Sequence, residues 1–102
     1  MESQEIILFE TKSPTDKSTL TAKITENGTL TLEGYDIGER AKQTFGDIDY
    51  EYWYHIEPAQ ANQMLLQLLK ENFQGNESQF SEAKFREWML AHNIPYKFES
   101  YT

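Results

Sequence analysis

Asp47-Ile48-Asp49-Tyr50-Glu51-Tyr52-Trp53-Tyr54-His55-Ile56-Glu57 sets four acids and four aromatics into eleven residues, and few folds accommodate such a run. Aromatic residues favour the pleated state, and strict alternation gives a strand two chemically different faces. Ile48, Tyr50, Tyr52, Tyr54 and Ile56 share one face; Asp47, Asp49, Glu51, Trp53, His55 and Glu57 share the other. The first reads as core. The second reads as a surface that holds a large aromatic among carboxylates.

Two further strands carry the same period. Thr19 to Thr25 places Leu20, Ala22 and Ile24 on one side, and Thr29 to Tyr35 places Leu30 and Leu32 on one side. The register between them follows from parity. A two-residue Asn27-Gly28 loop would split these apolar sets across the sheet, whereas a three-residue Glu26-Asn27-Gly28 loop sets Ile24 opposite Leu30 and Ala22 opposite Leu32. The longer loop needs a left-handed last residue, which Gly28 supplies, so a type I turn with a glycine bulge is expected. The open face would then also show Thr21, Lys23, Thr31, Glu33 and Tyr35.

Glu5 to Thr11 reads as the first strand. Its run Ile6-Ile7-Leu8-Phe9 is apolar on both sides, which predicts a central strand covered on both faces. Asp36 and Glu39 have capping-box spacing and Gly46 sits at a helix stop, predicting a short helix over Ile37 to Phe45 or, since Gly38 weakens it, an ordered loop. Pro58 suits a first helical position, and Ala61, Met64, Leu65, Leu68, Leu69 and Phe73 recur at helical spacing up to a stop at Gly75. Ser78 or Ser81 caps a second long helix with the stripe Phe85, Trp88, Met89 and His92. There Asn93 takes the left-handed position, Ile94 folds back on Met89, and Pro95 prevents continuation. Tyr96 to Tyr101 is predicted as a closing strand.

The order β-β-β-(α)-β-α-α-β implies an α+β domain: a mostly antiparallel sheet of four to five strands with two helices packed on one face. At 102 residues it fits one domain, residues 1–102, able to bury about 60–65% of its unfolded surface without staples. Without cysteine there is neither a disulfide framework nor a thiolate site. The start Met1-Glu2-Ser3-Gln4-Glu5 is acidic and precedes only four apolar residues, too few for a signal-peptide core or a membrane span, so a soluble, unprocessed protein is expected, with the cytoplasm as the default compartment.

Seventeen acids face nine bases, for a formal charge of −8. Residues 26–57 hold eight of the acids against Arg40 and Lys42, a local net of −6. Such a surface disfavours direct nucleic-acid binding and attracts a basic protein, although acidity also serves solubility. Metal binding would draw on Asp47, Asp49 and Glu51 with Asp36 and Glu39, but alternate strand residues stand nearly ~7 Å apart, and no EF-hand loop is present. Hydrolytic catalysis lacks a nucleophile elbow, a phosphate loop and paired histidines. His55 and His92 read as structural, and the acids are too many for any pair to stand out as catalytic. No catalytic residue, cofactor or metal is therefore assigned. Trp53 among acids has the makeup of an interface anchor, and Glu33, Tyr35, Asp36, Asp49, Glu51, Trp53 and His55 are the candidate partner-binding residues.

Gly34-Tyr35-Asp36-Ile37-Gly38, Asp49-Tyr50-Glu51-Tyr52-Trp53 and Ile94-Pro95-Tyr96-Lys97-Phe98 together resemble a group of small acidic uncharacterised bacterial proteins, over residues 28–100. That resemblance implies no activity, cofactor or catalytic residue. In size and acidity the chain is also similar to bacterial immunity proteins and phage-encoded inhibitors of basic nuclease-type partners, an analogy of class rather than of motif. The expected function is a non-enzymatic acidic protein-binding module, an immunity or inhibitor protein being the class the analogy implies. A small-molecule or divalent-metal binder and a self-associating domain are the alternatives, and a homo-oligomer is compatible with all three.

Overall fold

The computed structural model describes residues 4–101. Its elements are β1 (Gln4–Lys12), β2 (Asp16–Ile24), β3 (Leu30–Gly38), α1 (Glu39–Phe45), β4 (Asp49–Ile56), α2 (Pro58–Phe73) and α3 (Glu82–Ala91), an α+β arrangement. Met1 to Ser3, read above as part of an acidic N-terminus, lie outside the described residues. The chain divides into two compact units, Met1–Met64 with the sheet and α1, and Leu65–Thr102 with α3; α2 begins in the first and ends in the second.

The first unit is an antiparallel meander in the order β1-β2-β3-β4, in which each strand pairs with its sequence neighbour. The β2–β3 register sets Ile24 opposite Leu30 and Ala22 opposite Leu32, as parity requires. The connecting loop is the three-residue form. Gly28 N–H donates to the Thr25 carbonyl at 2.9 Å, Thr25 N–H donates to the Thr29 carbonyl at 2.9 Å, and Gly28 takes φ +88°. Only glycine enters that conformation without steric cost.

β1 differs from its expected place. Among the described residues it stands at the sheet edge and pairs with β2 alone, and its ladder is interrupted between Ile7 and Phe9. Ile7 opposes Thr21 and Phe9 opposes Leu20, so Leu8 is the extra residue of a bulge. Ile6 and Phe9 therefore point to the same side although three positions apart. The two-faced apolar run is a reset of alternation, not a sign of a strand covered twice.

One sheet face gathers Ile6, Phe9, Leu20, Ala22, Ile24, Leu30, Leu32, Tyr50, Tyr52, Tyr54 and Ile56. On it Tyr52 sits opposite Gly34, and the ring occupies the space that any side chain on residue 34 would fill. An aromatic lying over a glycine restores the cross-strand contact that the glycine lacks. Phe45 stacks on Tyr50 with ring centroids 3.7 Å apart and planes 6° from parallel, and the series continues from Tyr50 to Tyr52 at 5.6 Å and from Tyr52 to Tyr54 at 6.1 Å, edge to face. Tyr54 is not the core residue its parity suggested: it is 63% exposed. Among the described residues β4 pairs only with β3, so a ring at its far end has a sheet neighbour on one side alone.

α1 begins later than expected, at Glu39, because β3 runs on to Gly38. Asp36 is a strand residue and caps nothing. The first helical N–H groups are instead met from the β1–β2 connection and the start of β2. Glu39 N–H donates to the Thr15 carbonyl at 3.3 Å, and Arg40 N–H donates to Asp16 Oδ1 at 2.8 Å. Gly38 makes that approach possible: at φ +127°, a Cβ there would strike the Thr15 carbonyl. Gly46 ends the helix as anticipated, its N–H on the Lys42 carbonyl at 2.9 Å.

In the second unit Phe80 packs between Phe73 and Phe85, at 4.9 and 5.4 Å between centroids. Of the two cap candidates for α3 it is Ser81 that accepts from Lys84 N–H, at 3.3 Å. The C-terminal reading holds: Asn93 is left-handed at φ +55° and Ile94 N–H returns to the Met89 carbonyl at 3.0 Å. The closing strand does not form. Among the described residues Tyr96 to Tyr101 has no ladder partner, and Tyr101 is fully exposed. Alternation specifies which faces a strand would have but not that a free sheet edge is there to receive it. Among the described residues no helix is long and apolar enough to cross a membrane.

Candidate recognition face

The polar face of the meander is ordered in rows by the β2–β3 and β3–β4 registers. Lys23, Thr31 and His55 form one row, Thr21, Glu33 and Trp53 the next, then Thr19, Tyr35 and Glu51, then Lys17, Ile37 and Asp49. Six of the seven candidate residues thus share this face: Glu33, Tyr35, Asp49, Glu51, Trp53 and His55. Asp36 does not. It pairs with Tyr50 on the opposite face and lines a cleft of about 480 Å³ beside α1, with Phe9, Asp16, Arg40, Phe45 and Tyr52. The reason is parity: Asp36 lies one residue from Tyr35 on a continuous strand, and adjacent residues point to opposite sides.

Trp53 is 49% exposed, directly opposite Glu33 and two residues along β4 from Glu51. Charge is graded across the face, with Lys17 and Lys23 on β2 and Asp49 and Glu51 on β4. Lys17 is engaged by Glu10 at 3.5 Å. Partial desolvation raises the Tyr35 phenol above its ordinary value of 10.0, and the charge of Asp49, a hydrogen bond with it and the charge of Glu51 add to the rise.

At the hairpin end the face deepens into an open groove of about 470 Å³. Its floor is Thr31, only 3% exposed, whose hydroxyl is 3.1 Å from His55 Nδ1. Lys23, Asn27, Trp53 and Glu57 stand around it. Of the residues lining the groove, Trp53 and His55 were candidates. Lys23, Thr31 and Glu57 were already on the open face by parity, but their convergence depends on the β3–β4 register, which no short-range signal specifies.

Across the sheet axis, Asp16 binds Thr15 Oγ1 at 2.6 Å in addition to Arg40 N–H. The Thr15 hydroxyl, then the Arg40 amide, hold its carboxyl below the ordinary value of 3.8, against a smaller opposing effect of desolvation. The acids weighed as metal ligands are divided between the two faces, and among the described residues no three His, Asp or Glu side chains converge as a metal cage. The Thr31–His55 pair on this face sets a hydroxyl beside an imidazole, and that hydroxyl is 3% exposed.

No family model, curated protein or solved structure matches the chain. The resemblance drawn from the three short motifs therefore assigns no family.

Proposed function

We propose that the chain is a non-enzymatic acidic protein-binding module that engages a basic protein through the polar face of its meander. The observation that carries this reading is Trp53, half exposed on an antiparallel sheet and bordered by Glu33 across the ladder and Glu51 along it. A large aromatic ringed by charges that act at longer range is the usual division between an anchor, which sets dissociation, and a rim, which sets encounter. The net charge of −8 supports a basic partner and disfavours direct contact with nucleic acid. An immunity or inhibitor protein acting in the cytoplasm is the class that such a surface suits.

Affinity capture from the native host tests it, with the wild-type chain and its Trp53→Ala and Glu51→Lys variants as baits at low and moderate salt. A basic protein retained by the wild type, lost with Trp53→Ala and weakened by salt is the expected result. Equal retention on all three baits would remove the face from consideration.

A further inference from the structure

We propose that the groove at the hairpin end of the polar face is a binding site for a neutral saccharide, with Trp53 as the stacking platform. This goes beyond the protein-binding reading and rests on a different observation, the mixed chemistry that converges on Thr31. Three features of the groove select the ligand class.

First, the side wall is an indole, and the C–H face of a pyranose ring is one of the few polar-molecule surfaces that gains by lying against an aromatic plane. Second, the polar groups around it are of both kinds. Lys23 donates, Glu57 accepts and the Thr29 hydroxyl can do either, while the Thr25 hydroxyl is taken up by Asn27 Oδ1 and the Thr29 N–H and leaves Asn27 its amide donor. A ring bearing several hydroxyls, each donor and acceptor at once, satisfies such a set, whereas a carboxylate or an ammonium satisfies only half of it. Third, one lysine and one glutamate, Lys23 and Glu57, line the groove, so the fixed charges of the lining itself offset one another.

His55 is pre-positioned within this arrangement. Its Nδ1 is held by the buried Thr31 hydroxyl at 3.1 Å, which fixes the ring and leaves Nε2 as the atom available to a ligand. A groove this open encloses little of a ligand, so affinity is expected to be weak, with a dissociation constant on the order of 1 mM. The end or one unit of a chain of sugars fits better than an enclosed small molecule. Trp53 and His55 belong also to the protein-binding face, so a bound saccharide would compete with a protein there.

The test uses the full chain carrying Trp88→Phe, which leaves Trp53 as its single indole. Cellotetraose and triacetylchitotriose are titrated to ~20 mM, about twentyfold above the expected dissociation constant, with sodium acetate and arginine hydrochloride as charged controls. Trp53 fluorescence and the ring resonances of His55 are followed. The expected result is a saturable change in both with at least one saccharide, no comparable change with either control, and loss of the His55 response in Trp53→Ala. Glu57→Gln, on the exposed rim, should weaken binding about tenfold without disturbing the fold, as removal of one charged acceptor does. A flat response to both saccharides, a response matched by acetate or arginine, or a His55 response that survives Trp53→Ala would each overturn the proposal. None of these results bears on the affinity capture, so failure here and failure of the protein-binding reading are separable.

Discussion

The two faces of the meander are built from the same strands and held by different means. On the apolar face, side chains interlock: the Tyr52 ring fills the place of a side chain at Gly34, and Phe45 from α1 lies flat on Tyr50. On the polar face contacts are sparse, chiefly the Thr31–His55 hydrogen bond and the Lys17–Glu10 pair. Shape complementarity on one face fixes the register, and the other face then receives its rows without having to stabilise them. A surface relieved of that duty is free to carry recognition.

The sharpest way to break this contrast is to empty the apolar face. Tyr52→Ala should destabilise the fold by about 3 kcal/mol, the range for removing a large packed aromatic, and should do so in thermal or urea denaturation. Gly34→Val attacks the same contact from the other strand and is expected to cost about 2 kcal/mol or more, because the ring must leave its place. If either variant melts with the wild type, the two faces do not divide the work as described. Gly38→Ala should follow at about 1–2 kcal/mol, since the residue is left-handed and a methyl group there meets the Thr15 carbonyl.

Asp16 sharpens the comparison at lower cost, because it ties the start of β2 to α1. Asp16→Ala should lower the Tm measurably, with the loss confined to pH values at which the carboxylate is charged. Its pKa is depressed in the folded state, so its contribution is present above the ordinary value of 3.8 and fades as pH falls through the lower folded value. The wild-type and variant melting curves should therefore converge in acid. Tyr35 and Tyr52 have the opposite sign: both phenols are raised in the folded protein, chiefly by desolvation, so stability should decline as pH rises above 10.0.

The smallest effect on stability belongs to Trp53. Trp53→Ala should change the unfolding free energy by no more than about 0.5 kcal/mol, as for an exposed side chain, while weakening any protein complex made through this face by about 2 kcal/mol. Calorimetry of the variant and of its complex reads both numbers. A large loss of stability would show that Trp53 is structural and that the polar face is not the free one.

What the sequence determined by itself lies within a few residues of the signals that specify it. The parity of Ile24 and Leu30 with Gly28 dictates the three-residue turn, Pro58 and the Leu65–Leu68–Leu69 spacing mark out α2, Asn93 and Pro95 end α3, and alternation divides Tyr52 from Trp53. These are backbone and periodicity constraints that any tertiary context must respect. The tertiary structure decided the rest. It made β1 an edge strand with a bulge at Leu8, and it supplied the α1 cap from Asp16, twenty-four residues from Arg40 in sequence. It also set Thr31 against His55, sent Asp36 to the other face from Trp53, and left Tyr96 to Tyr101 without a ladder. Each of these depends on which distant segment arrives as a partner, and a strand or a cap donor carries no local mark of the partner it will meet.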